Sequence, residues 1–154
     1  MTQTAAGWSL PLPAHDSLGS FYWRGAAEGV LLIQRCSACG LYIHYPRPVC
    51  RACLSRELSP TPVSGQGTLH SFTVMMQVFH PFFTDRLPYV VASVELPEQE
   101  RLRVLANVVD CPVEEVRVGM PVEVTFRQLT PELTIPQFRP RPGWDGSTDA
   151  EAGR

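Results

Sequence analysis

Apolar and polar residues alternate most cleanly at Val122-Glu-Val-Thr-Phe126, where every second side chain shares a face. A period of two marks a strand with one buried side. Comparable β-type runs occur at 67–78, 89–96 and 102–109 before it and at 133–138 after it, so 122–129 is the fourth of five. Turn signals separate them: 113–116 reads as a short helix or turn, and Gly119-Met-Pro121 resets the chain for the next strand. Gly65 and Gly67 bracket Gln66 just before the first run, which suits a bulge or a sharp bend at a barrel corner. Five short strands so closely spaced predict a small barrel of the OB type.

The N-terminal half has a different pattern. Asp16 or Ser17 is placed to cap a short helix to about Ala27, with Leu18, Phe21 and Tyr22 on one side and Gly29 ending it. Phe21, Tyr22 and Trp23 are adjacent there. They suit either packing on the body of the fold or a helix that docks a partner, since consecutive aromatics point in different directions. Residues 30–35 read as a strand entering a turn-rich stretch from Cys36 to Leu58, and 59–64, with Pro60 and Pro62, as a stiff connector. The expected division is a loose lead (1–14), a helix (15–29), a metal-bound ribbon (30–60), a barrel (61–140) and a mobile tail (141–154).

The clearest chemical signal is Cys36-x-x-Cys39, ten residues, then Cys50-x-x-Cys53. Each pair can form a tight knuckle aiming two sulfurs at one point, and residues 40–49 are long enough to bring the second knuckle opposite the first. Four thiolates close a tetrahedral site with no open position, so the ion is structural; zinc is expected, with iron its competitor. Gly40 follows Cys39 where a knuckle needs left-handed backbone, whereas Leu54 occupies the matching position of the second knuckle. Cys111 reads as a small buried hydrophobe, and His15, His44, His70 and His80 are scattered, with His80 a loop residue.

Charge and composition narrow the function. Thirteen arginines, no lysine and fifteen acidic residues give a formal charge of −2, which excludes a Schiff-base lysine and argues against phosphate backbones as the main partner. Paired thiolates, the absence of a signal-like start and the lack of an apolar run of membrane-spanning length together predict a cytoplasmic protein. None of the common nucleotide-binding, hydrolase or metalloprotease motifs occurs, and no acid/base pair of carboxylates stands out, so the chain is not expected to catalyse a reaction by itself.

The order of motifs resembles an acyl-CoA-associated family with a rubredoxin-like zinc ribbon followed by an OB-fold, long catalogued as a domain of unknown function. The resemblance runs from about residue 18 to 140. It rests on Phe21-Tyr-Trp23, Glu28-Gly-Val-Leu31, Gln34-Arg-Cys-Ser-Ala-Cys-Gly40, Tyr45-Pro-Arg47 and Cys50-Arg-Ala-Cys53, then on Ser64-Gly-Gln-Gly-Thr68, Phe72-Thr73, Pro88-Tyr89, Val118-Gly-Met120, Val122-Glu-Val124 and Phe138-Arg-Pro140. Arg51 and Leu54 depart from it, standing where the family has Pro and Gly.

The resemblance implies a mainly β protein: N-terminal helix, zinc ribbon and five-stranded OB-type barrel. It also implies a non-catalytic accessory subunit that binds and stabilises a thiolase-like enzyme (thiolase, acyltransferase or retro-aldolase) of acyl-CoA or steroid side-chain breakdown, in a heterotetramer of two plus two that meets acyl-CoA through the partner. Phe21, Tyr22 and Trp23, with Phe79, Phe82 and Phe83, are candidate partner contacts; the three later phenylalanines suit the barrel core equally well. Arg35, Arg47 and Arg139 are candidates for a CoA phosphate or a partner carboxylate, against ordinary surface ion pairs. Two other classes stay open: a single-stranded nucleic-acid binder stacking bases on Phe72, Tyr89 and Phe126, and rubredoxin-like electron transfer through iron.

Overall fold

The computed structural model describes residues 12–13 and 17–144. The helix α1 (Ser20–Ala27) is followed by β1 (Leu32–Cys36), β2 (Tyr42–Ile43) and β3 (Leu58–Pro62). After these come β4 (Gln66–Met75), β5 (Tyr89–Glu95), β6 (Arg103–Val108), β7 (Pro121–Thr130) and β8 (Leu133–Pro140). The first three strands form an antiparallel sheet of order β2-β1-β3, and the last five close into a barrel of order β4-β5-β6-β8-β7. The expected architecture of helix, ribbon and five-stranded OB-type barrel is what the chain adopts.

Alternation fills the barrel. Val90, Ala92 and Val94 of β5 are buried while Tyr89, Val91, Ser93 and Glu95 are not, and Val104 and Val108 of β6 point inward with them. Leu69, Val122 and the fully buried Phe138 complete the middle of the core. The short helix foreseen at 113–116 is a 3-10 turn over Val113–Glu115.

Four local expectations are corrected. The stretch 59–64 is no connector: β3 pairs with β1, setting Pro62 opposite Leu32 and Pro60 opposite Gln34. The prolines are tolerated because Val63 donates its amide to Leu31 O at 3.0 Å. Residues two apart point the same way, so the imino nitrogens of Pro60 and Pro62 face the free edge, where no donor is needed. Of the bulge or sharp bend expected at Gly65 and Gly67, the bulge falls instead between Leu69 and Ser71, while Gly65, at φ +72°, turns the chain just before β4. Gly67 serves close approach: a Cβ there would lie 2.4 Å from Val94 Cγ1 and 3.0 Å from Glu95 O.

The helix begins later than foreseen. Its N-cap is Gly19, with no side-chain cap, after a turn in which Ser20 donates to Ser17 O; Asp16 lies outside the described residues. Leu18 therefore precedes the helix and is exposed, and Phe21, Tyr22 and Ala26 make the buried side. The expected lead falls outside the described residues except at 12–13, and the expected tail does so from 145 onward. The first four residues of that tail are tied down, with the Arg141 amide donating to Pro121 O and Trp144 packed on the barrel core.

Helix α1 lies against β8, β7 and β1, and so joins ribbon to barrel. Phe21, Tyr22, Leu31 and Ile33 belong to the same apolar cluster as the barrel interior. A polar clamp reinforces the junction. Gln99, in the β5–β6 loop, accepts from Tyr42 N at 2.8 Å and donates to Tyr42 O at 3.2 Å.

Candidate metal centre and partner surface

The ribbon places its cysteines by two near-identical knuckles. In the first, Cys36 N donates to Leu41 O and Gly40 N to Cys36 O; in the second, Cys50 N donates to Ser55 O and Leu54 N to Cys50 O. Both need a left-handed residue at the same place: Gly40 has φ +77° and Leu54 φ +61°. Leu54 thus completes a regular knuckle at a steric cost that Gly40 avoids.

The four sulfurs lie within 4.8 Å of one another, with Cys36 and Cys50 buried and Cys39 and Cys53 at the surface. Cross-knuckle pairs Cys36–Cys53 and Cys39–Cys50 are each 3.6 Å apart. A tetrahedral ion with metal–sulfur distances of about 2.3 Å requires sulfur–sulfur edges of about 3.8 Å, so the cluster fits such an ion. Amide donation from Cys53 and Ala52 lowers the pKa of the Cys50 thiol. Against amide donation from Ser55, hydrogen bonds to the other three sulfurs and burial raise that of Cys53, so the crowded thiols share protons that a bound ion would displace. His44 is outside the cluster. Its ring lies 5.5 Å from that of Tyr22 and 4.2 Å from that of Tyr45, and burial lowers its pKa to about 4.

The other candidate residues are dispersed. Phe21 and Tyr22 are buried within the chain, and Trp23 is half-buried with its ring edge-on to Tyr22. Two successive helix positions are covered because ribbon and barrel both lean on α1. Phe79 is 76% exposed, whereas Phe82 and Phe83 are half-buried outside the barrel core. Phe83 stacks on Tyr89, Phe82 meets Phe83 edge-on, and the Arg86 guanidinium sits over Phe82. His80 accepts from Phe82 N and caps this 3-10 turn, Pro81–Phe83.

Of the arginines, Arg35 donates to Gly40 O at 3.1 Å and lies over the Tyr42 ring, bracing the first knuckle. Arg139 pairs with Glu123, its direct cross-strand neighbour, at 2.8 Å. The backbone of Arg47 is held at both its N and its O by the buried Gln34 side chain. Phe72 and Phe126 pack against the core rather than forming a stacking platform. Cys111 is half-buried against the same core.

The two glutamines, Gln34 and Gln99, were not legible as structural residues. Gln99 lies in Pro97-Glu-Gln-Glu100, which reads as a solvated turn. Among the described residues, no helix is long and apolar enough to cross a membrane.

Comparison with known proteins places this geometry in context. Residues 23–59 match the family described as ChsH2, rubredoxin-like zinc ribbon domain, and residues 60–127 that described as ChsH2, C-terminal OB-fold domain. A Thermomonospora curvata protein named probable enoyl-CoA hydratase alpha subunit is 38% identical over 130 residues, covering 84% of this chain but only 40% of the relative. A DUF35 domain-containing scaffold protein of Methanocaldococcus jannaschii is 35% identical over 109 residues, covering 70% of this chain and 75% of its own length. The solved Ltp2-ChsH2(DUF35) aldolase contains a chain 37% identical to this one, with a TM-score of 0.77, covering 84% of this chain and 98% of that one. A DUF35 protein of unknown function from Sulfolobus solfataricus, at 15% identity and TM-score 0.54, shares the fold alone.

Proposed function

The chain belongs to the ChsH2-type DUF35 family of zinc-ribbon and OB-fold proteins, and on that premise we propose that it is a non-catalytic scaffold subunit of a thiolase-like acyl-CoA enzyme. The observation that carries the reading is the match to the ChsH2(DUF35) chain of the Ltp2 aldolase, which extends over nearly that whole chain. The methanogen relative named a scaffold protein supports it independently. The partner would be a thiolase, an acyltransferase or a retro-aldolase, arranged two plus two, with acyl-CoA bound on its side. Free thiols in CxxC pairs suit a reducing cytoplasm.

In this reading Cys36, Cys39, Cys50 and Cys53 hold one zinc ion, which shapes the ribbon and takes no part in the chemistry. Iron is the alternative ion for the same sulfurs, and a colourless protein with one equivalent of zinc excludes it. Arg35 and Arg139 are engaged within the chain, which favours structural roles for both over CoA contact.

Co-expression with each thiolase-like chain of the same genome, followed by gel filtration, tests the scaffold role. Co-elution with one of them, and higher turnover of that enzyme in the complex than alone, is the expected result. Clean separation from all of them would refute it.

A further inference from the structure

We propose that the scaffold grips its partner enzyme with the outward face of β4, β5 and β6 together with the loop between β4 and β5. The proposal rests on the accessory-subunit reading and adds to it the surface used. It starts from strand register. Ser71, Ser93 and Leu105 are aligned across the three strands, and Thr73, Val91 and Asn107 form the next row. Their chain neighbours Phe72, Ala92, Val104 and Ala106 turn into the core, so these two rows face outward. Met75 and Tyr89 form a third row on the same side.

None of these eight positions carries a charge; the charges on this face, Glu95 and Arg103, stand in the row beyond Ser93 and Leu105 and pair with each other at 2.8 Å. The outer face of β7 and β8 carries a comparable pair, Glu123 with Arg139, and in addition Arg127, four residues further along β7 and opposite Ile135. A barrel face turned to water ordinarily carries charged residues throughout, and eight adjoining positions without one suit the centre of a protein interface with the ion pair at its rim. The face is also apolar where it stands out most, with Leu105 58% exposed. At its Met75 end it continues into the β4–β5 loop, where Met76 and Phe79 are 68% and 76% exposed. Large exposed apolar side chains gathered on one side of a small domain are anchors waiting for a pocket.

The occupant is the partner enzyme rather than a second copy of this chain. The homologous ChsH2(DUF35) chain is found joined to a different protein, and 98% of that chain is matched here. The apolar side of α1 cannot serve instead, because Phe21 and Tyr22 are already buried against ribbon and barrel.

Three variants test the surface by co-expression and gel filtration with the genome's thiolase-like chains. Leu105→Arg and Phe79→Asp each change an exposed side chain, so folding should survive, and unchanged melting and metal content verify this. Arg127→Glu, on the charged face, is the control. The expected result is co-elution for wild type and Arg127→Glu, with at least tenfold weaker association for Leu105→Arg and Phe79→Asp. If wild type and all three variants co-elute alike, the surface is wrong and the scaffold role stands. If wild type associates with no thiolase-like chain, the scaffold reading fails and the surface proposal with it. A wild-type homodimer that Leu105→Arg dissolves would give the face to a second copy and overturn the proposal.

Discussion

The ribbon and the barrel are stabilised by opposite means. The barrel closes on itself around an apolar interior, from Leu69 and Val94 to Phe138, and every one of its strands contributes to it. The distal ribbon has only Cys36, Ile43 and Cys50 buried around its sulfurs, with Leu41 and Leu58 half-covering them. Five side chains are too few to offset the conformational entropy of ordering two knuckles, and on the proposed reading a cation held by the four sulfurs would supply the difference. The near end of β1 is another matter, because Leu31 and Ile33 belong to the barrel cluster. The boundary between the two modes of stabilisation therefore runs across the ribbon itself, between Ile33 and Cys36.

Phe138→Ala attacks the barrel at its fullest point and should cost about 3–5 kcal/mol. Chemical denaturation would show the loss, while metal content at low denaturant should stay at one ion per chain. Gly67→Ala forces a methyl against Val94 and the Glu95 carbonyl, and a loss of about 2–3 kcal/mol is expected by the same assay.

The ribbon–helix junction responds to acid. His44 is neutral when folded, with a pKa of about 4 against an ordinary 6.5, because burial disfavours the imidazolium. The unfolded chain then binds a proton that the folded chain does not. Stability is unaffected above pH 6.5 and falls as pH drops from 6.5 towards 4. Discounted for partial exposure, the loss is about 1–2 kcal/mol. His44→Phe keeps a ring between Tyr22 and Tyr45 and should flatten this limb; thiolate protonation is common to both proteins and cancels in the comparison. A melting series from pH 7 to pH 4 that gives parallel curves would remove His44 from the account.

The smallest effect should have the opposite sign. Leu54 is 75% exposed and held at φ +61°, so Leu54→Gly relieves strain without losing burial. A gain of about 0.5–1 kcal/mol in the metal-bound form is expected from its melting temperature, after allowing for the greater freedom of glycine in the unfolded chain.

Much of this division was legible in the residues. The paired CxxC spacing located the cluster of four sulfurs, and β-type runs between turn signals located all five barrel strands, because both signals are local and repeated. Misreadings came where the deciding partner is distant in sequence. Pro60 and Pro62 read as a connector because nothing nearby reveals that their nitrogens face the free edge of a sheet. Phe21, Tyr22 and Trp23 suited either packing or a docking helix, and nothing local decides it, because the helix is covered from two sides by elements that follow it. Gln99 reaches Tyr42 across 57 positions, and no pattern of spacing announces such a clamp. The uncharged rows on the outer face of β4, β5 and β6 become visible only once register aligns three separate strands.

The central claim, that a metal holds the distal ribbon while an apolar core holds the barrel, is tested most directly by amide hydrogen exchange before and after chelation. The purified protein should contain one zinc per chain. Removing it should abolish protection at Cys36, Gly40, Cys50 and Leu54 while leaving Val90, Val94 and Val124 protected. A metal-free chain whose knuckle amides stay as protected as its barrel would contradict the account.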